Sequence, residues 1–173
     1  MNSPQETFRI EPLSAAFRPW ATLVLTEHWG SPRVVTRGRI HHADDLPGFI
    51  ARRGGEPVGL ITYRLEAAEG EIVTLNSLDE QVGIGKKLVE TVVETARRAG
   101  CRRLWLITTN DNLPALRFYQ KRGFVLRAVY PGALDASRKL KPEIPTVGIG
   151  GIPLRDEIEL ELVLRSSGDG GNS

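Results

Sequence analysis

The sequence predicts a single α/β domain. Strand-like and helix-like segments alternate along its 173 residues without an internal repeat. A short apolar run at residues 72–78 leads through a glycine-rich turn straight into an amphipathic helix. A chain of this length buries a core without disulfide or metal staples. Its 40% apolar and 25% charged residues are ordinary for a globular protein.

Residues 7–12 read as a short first strand. Residues 14–28 read as a helix, with Pro19 in its first turns or at a kink and Gly30 as its stop. Residues 31–47 carry Arg33, Arg37, Arg39, His41 and His42, show no clear period, and are expected to form a loop or a short helix. Residues 49–53 and 58–65 read as a β-hairpin around Gly54-Gly55-Glu56-Pro57, and residues 71–78 follow as a third strand. In the helix behind the glycines, Ile84, Leu88, Val92 and Ala96 fall four apart with Val89 and Val93 beside them, one apolar stripe that Gly100 terminates. Residues 104–107 form a continuous apolar run, expected as a central strand covered on both faces. Asn110, Asp111 and Asn112 offer caps, and Pro114 suits the first turn of a helix that runs to about Arg122 and stops at Gly123. Residues 124–130 read as a strand. Residues 131–156, rich in proline and glycine, are expected as a long excursion, functional or flexible. The strand at 158–164 alternates early, which marks one covered face, and residues 166–173 are expected to be a disordered tail.

Composition excludes several classes. A net charge of +2, with no basic stripe alternating with aromatics, argues against nucleic acid. No run approaches the roughly 18 apolar residues of a membrane span, and the first six residues lack a signal-peptide pattern, so no membrane association and a cytoplasmic location are expected. The one cysteine, Cys101, allows no internal disulfide and no multi-cysteine metal site. His41 and His42 lack a third ligand partner, so no metal is expected.

The chemistry concentrates at Glu80-Gln81-Val82-Gly83-Ile84-Gly85-Lys86-Lys87. A glycine turn opening into a helix leaves backbone N–H groups unpaired at a helix N-terminus, a ready cradle for phosphate. A P-loop requires Gly-Lys followed by Ser or Thr and a glycine five positions earlier; here Lys87 follows Lys86, and Glu80 holds the earlier place. A dinucleotide site requires a third glycine where Leu88 stands.

Downstream, Asn112, Ala115, Tyr119 and Gly123-Phe124 complete the pattern of strand, Gly-x-Gly turn, long helix and apolar strand. Together these residues resemble the GNAT superfamily of acyl-CoA-dependent N-acyltransferases, closely over residues 56–130 and in element order elsewhere. The loop departs from the family pattern Gln/Arg-x-x-Gly-x-Gly/Ala in carrying Glu80 at the Gln/Arg position, and its approach from the strand is about two residues short. The resemblance implies an N-acetyltransferase domain over residues 1–165, with a mixed, mostly antiparallel sheet of about seven strands flanked by helices and splayed at the CoA site. It implies acetyl-CoA as co-substrate, held by Ser77, Leu78, Gln81, Val82, Gly83, Ile84, Gly85, Lys86, Asn112 and Tyr119. A backbone N–H near Ser77 or Leu78 would meet the acyl oxygen.

Tyr119 is the expected acid for the departing thiolate, because a phenol of pKa about 10 is protonated at neutral pH and a thiolate of pKa about 8.5 accepts from it over a short bond. By periodicity alone, Phe118 and Tyr119 are the apolar face of a short helix. Glu71 matches a family position that often supplies the base; His41 and His42 are the other candidates, and a solvated strand start or surface loop is the plain alternative for each. The expected reaction is direct acetyl transfer to a small-molecule primary amine. A peptide or protein amine acceptor and a catalytically silent CoA-binding sensor remain alternatives, and a second copy of the chain is a permitted partner. The arginines and histidines of residues 31–47 would suit an anionic group on the acceptor.

Overall fold

The computed structural model describes residues 7–78 and 83–165. Asp79, Glu80, Gln81 and Val82, and the expected tail at 166–173, lie outside the described residues. β1 (Arg9–Pro12) and a one-turn helix at Ala15–Phe17 lead into α1 (Arg18–Trp29). Pro19 sits in its first turn, and Gly30, at φ 79°, closes it by donating its N–H to the Thr26 carbonyl. β4 (Gly48–Arg53), β5 (Glu56–Glu66) and β6 (Glu69–Ser77) form an antiparallel meander. α2 (Ile84–Arg98), β7 (Arg103–Thr109), α3 (Leu113–Gln120), β8 (Val125–Tyr130), α4 (Ala133–Leu140) and β9 (Glu157–Val163) complete the order.

Seven of these strands form one sheet, β1-β4-β5-β6-β7-β9-β8, in which β6–β7 is the parallel pair and the other neighbours run antiparallel. The apolar stripe of α2 packs Ile84, Leu88, Val92 and Ala96 against Ile61, Ile72 and Leu104 on one face. α1 packs Ala21 and Leu25 against Ile50, Leu60 and Val73 on the other.

Three expectations are corrected. Residues 31–47 contain a β-hairpin, β2 (Arg33–Thr36) and β3 (Arg39–His42), instead of a loop or short helix. Its turn places Arg37 at φ 50° and Gly38 at φ 71°, the left-handed pair that a tight hairpin needs; an arginine in the first of these positions gave no turn signal. Residues 131–156 are not a bare excursion, because α4 buries Leu134 and Ser137 there. Arg138 also donates to the carbonyls of Ile144, Pro145 and Leu154. β7 is central but covered fully on one face alone: Leu104, Leu106 and Thr108 are buried, while Arg103, Trp105 and Ile107 are half-buried. Arg103 turns to Glu69, Glu159 and Glu161 on that second face.

Candidate active site

The sheet opens between its two parallel strands. β6 and β7 pair from Glu69–Arg103 to Ile72–Leu106 and no further, while β7 continues with β9 to Thr109. At the break β6 carries an extra residue, since Thr62 opposes Thr74 and Tyr63 opposes Ile72, leaving Val73 as a bulge. A bulge bends its strand and ends pairing, and here it steers β6 away from β7. The gap is a cavity of about 390 Å³ that draws its walls from both faces of the sheet: Ile72, Leu106 and Tyr119 from the α2–α3 side, Trp29 and Val73 from the α1 side.

One end of the cavity is the N-terminus of α2. Gly83 takes φ 76° as N-cap, no side chain caps the helix, and no acid stands in its first turn. The Lys87 N–H bonds back to the Gly83 carbonyl at 3.1 Å, and the N–H groups of Ile84, Gly85 and Lys86 have no helical partner among the described residues. Gly83, Gly85 and Lys86 line the cavity, whereas the Ile84 side chain is wholly in the core. A Cβ on Gly85 would stand 3.4 Å from the Phe118 ring and 3.9 Å from Ser77. Glycine thus leaves the cradle open beside α3. Gln81 and Val82, the other expected loop residues, fall outside the described residues.

α3 supplies the wall. Asn112 caps it, its Oδ1 accepting from the Ala115 N–H at 3.2 Å, and Asn112 also lines the cavity. Tyr119, 6% exposed, packs edge-on against Phe118 and Phe124. Burial pushes its phenol well above the ordinary tyrosine range, and its hydroxyl has no hydrogen-bond partner among the described residues. Arg122 was not singled out in the sequence. It lies over the Phe118 ring at 3.5 Å, donates to the Phe118 carbonyl at 2.7 Å and lines the same cavity. Its Nε is buried without a hydrogen-bond partner among the described residues, and burial lowers its pKa. Arg122 lies in the turn just past the end of α3, and its four-residue spacing from Phe118 is the signal that points to it.

Ser77 lines the cavity, but Leu78 does not; its N–H donates to the Val58 carbonyl at 3.0 Å and its side chain is exposed. The Leu78 N–H is therefore unable to meet an acyl oxygen. Strand alternation then turns the N–H groups of Leu75 and Ser77 away from β5, towards the gap.

Glu71 and His41 are brought together, but away from the cavity lining. Glu71 is fully buried, accepting from Thr36 Oγ1 at 2.7 Å and from Arg64 Nε at 2.6 Å. His41 Nε2 lies 2.7 Å from Thr36 Oγ1 and 3.7 Å from Glu71. The single Thr36 hydroxyl proton goes to Glu71, so His41 is the donor to Thr36. Burial lowers the His41 pKa. The network clamps the β2–β3 hairpin onto the sheet, and His42 points outward. The arginines of the hairpin also face elsewhere: Arg33 pairs with Glu143, Arg37 with Glu157 and the Tyr130 ring, and Arg39 with Glu66. Cys101 is buried, and burial raises its thiol pKa. Among the described residues no helix is long and apolar enough to cross a membrane, and no three metal-ligating side chains gather.

The family model of the acetyltransferase (GNAT) family matches residues 13–124. The chain belongs to that family. It is 46% identical over 139 residues to the "Uncharacterized protein YdhI" of Bacillus subtilis (strain 168), covering 80% of this chain and 87% of that one. It is 44% identical over 135 residues to YxbD of the same organism, covering 78% and 85%. Among solved structures, an IAA acetyltransferase from Bacillus cereus ATCC 14579 superposes with a TM-score of 0.70 at 25% identity, covering 91% of this chain and all of that one. A GNAT acetyltransferase from Elizabethkingia anophelis with acetyl-CoA bound shares the fold, with a TM-score of 0.69 at 19% identity and coverage of 92% and 100%. Family and fold make the chain an acyl-CoA-dependent acetyltransferase.

Proposed function

We propose that this GNAT acetyltransferase moves the acetyl group of acetyl-CoA to the primary amine of a small molecule by direct attack. The observation that carries the reading is the cavity through the splayed sheet, with a helix N-terminus that no side chain caps at one end and Tyr119 on its wall. The residues present fit the co-substrate. The helix-terminal N–H groups of Ile84, Gly85 and Lys86, without a partner among the described residues, suit its pyrophosphate, the open glycine positions admit it, and Arg122 adds a cation beside them. When bound, acetyl-CoA supplies an acyl thioester, and this chain's own groups do the rest.

The inward N–H of Leu75 is proposed as the donor to the acyl oxygen as charge builds there; a donor of this kind is worth roughly 10²–10³ in rate. Tyr119 gives its proton to the leaving sulfur, and the proton that the attacking nitrogen sheds as the amide forms passes to solvent, from which the Tyr119 phenolate is reprotonated. The phenol is protonated across the neutral range, and among the described residues its hydroxyl has no hydrogen-bond partner to compete with the sulfur. The acceptor enters from the α1 side. Desolvation there disfavours an ammonium, so the amine sheds its proton to solvent on entry, and the role expected of Glu71 becomes that of a tie holding the hairpin.

The test is thiol release from acetyl-CoA over panels of small amines and free-amine peptides, with acetyl-CoA binding measured in parallel. Turnover with small amines is expected. Binding of acetyl-CoA with silence across all panels would overturn the reading in favour of a sensor.

A further inference from the structure

The two ends of the cavity differ in charge. Lys86 and Arg122, with the N-terminal N–H groups of α2, stand at the phosphate end. The opposite end is bounded by Trp29, Val73, Thr74, Leu75, Ile107 and Thr108, with no charged side chain among the described residues that line it. Thr74 already shares a hydrogen bond of 2.6 Å with Thr62. The charges of the nearby hairpin are paired outside the cavity, as described for Arg33, Arg37 and Arg39.

Trp29 is held through both its side chain and its backbone carbonyl. It is 39% exposed at the end of α1. Its indole N–H donates to Asn76 Oδ1 at 3.3 Å, across 47 residues of sequence. Its carbonyl accepts from the buried Lys141 ammonium at 2.7 Å, and that ammonium also binds the Arg33 carbonyl at 2.7 Å. With its one donor engaged, the ring offers the cavity only an apolar, π-rich face.

We propose that Trp29 is the acceptor-binding wall and that the acceptor is a primary amine carried on an aromatic or branched apolar group, without a carboxylate or a second ammonium. This rests on the acetyl-transfer reading above. A second charge would enter an uncharged end and lose its hydration with no partner to replace it. An apolar group beside the amine gains burial against Trp29, Val73 and Ile107.

The experiment uses the full chain saturated with CoA for calorimetric binding, and with acetyl-CoA for turnover. The probes are 2-phenylethylamine, phenylalanine, spermidine and a short peptide with a free N-terminus. 2-Phenylethylamine is expected to bind and to be acetylated with kcat/KM at least about tenfold above each other probe. Trp29→Ala is expected to raise its KM about tenfold and Trp29→Phe to restore most of that loss, with the KM for acetyl-CoA unchanged by either. Equal or better use of phenylalanine, spermidine or the peptide would overturn the proposal while leaving acetyl transfer intact. Failure of every probe to bind would overturn it as well. Binding of 2-phenylethylamine without acetylation would support the acceptor wall and refute the transfer reading.

Discussion

Gly59→Ala perturbs the seat of the phosphate cradle without touching the cavity. A Cβ at position 59 would lie 2.6 Å from Ile84 Cγ2, 3.1 Å from Leu88 Cδ1 and 3.4 Å from Ala51 Cβ. Carbon atoms rest at about 3.5–4.0 Å, so Ile84 has to retreat by about 1 Å. Ile84 and Leu88 have no exposure, so neither side chain has solvent to swing into. The first turn of α2 must lift from β5. Overpacking of this kind costs about 1–3 kcal/mol. The lower unfolded-chain entropy of alanine returns about 0.4–1 kcal/mol of that, and the net is a loss of about 1–2 kcal/mol. At roughly 2–4 °C per kcal/mol for a chain of this size, the melting temperature should fall by about 2–8 °C. The same lift moves the N–H groups of Ile84, Gly85 and Lys86, and misaligning one charge-assisted hydrogen bond of about 1.5–3 kcal/mol should raise the Kd for CoA about tenfold or more. Thermal melts and calorimetric CoA titration measure both. The pair Gly59→Ala with Ile84→Ala removes the clashing methyl, so the two changes should couple favourably in a double-mutant cycle. Unchanged melting and unchanged CoA affinity in Gly59→Ala would refute the close packing of α2 on β5 that positions the cradle.

Glu71→Gln keeps the shape of the buried network but removes the charge that Arg64 faces. It should cost about 2 kcal/mol in urea melts, together with any loss of rate; a lowered rate at full stability would restore Glu71 as the base. Arg122→Ala should raise the Kd for CoA about tenfold, and Arg122→Lys less; equal affinity in titration would remove Arg122 from the phosphate end. His41 gives a pH signature. Its folded pKa lies below the ordinary 6.5 because burial disfavours the imidazolium, so below pH 6.5 the unfolded chain takes up a proton that the folded chain resists. Stability from this group is complete above pH 6.5 and is lost as pH falls to and through the lowered value. The slope of melting temperature between pH 7 and 5 should flatten in His41→Gln; an unchanged slope would count against it.

How much of this was legible depends on how local the signal is. α2 could be read outright, because Ile84, Leu88, Val92 and Ala96 share a face by spacing alone, and all four are buried. The hairpin of Arg33–Thr36 and Arg39–His42 could not, since its strands are four residues each and its left-handed turn starts on Arg37 instead of the usual asparagine or glycine. α4 was hidden by the proline and glycine on either side of a two-turn helix. Tyr119 looked like any apolar face of a short helix until the surrounding pattern resembled a known family. Trp29 had no local signal, because the Asn76 contact that fixes it appears only after folding. The splay could not be read either, because it arises where the bulge at Val73 meets the end of the β6–β7 ladder.

The central claim is that Tyr119 protonates the leaving thiolate of acetyl-CoA held at the α2 N-terminus. Tyr119→Phe tests it cleanly, because the ring keeps its contacts with Phe118 and Phe124 and the lost hydroxyl has no hydrogen-bond partner among the described residues. The decisive measurement pairs single-turnover acetyl transfer with calorimetric acetyl-CoA affinity in the two proteins. The account predicts a rate lowered by about 10²–10⁴ with affinity and melting temperature unchanged. An unchanged rate at full affinity would contradict it.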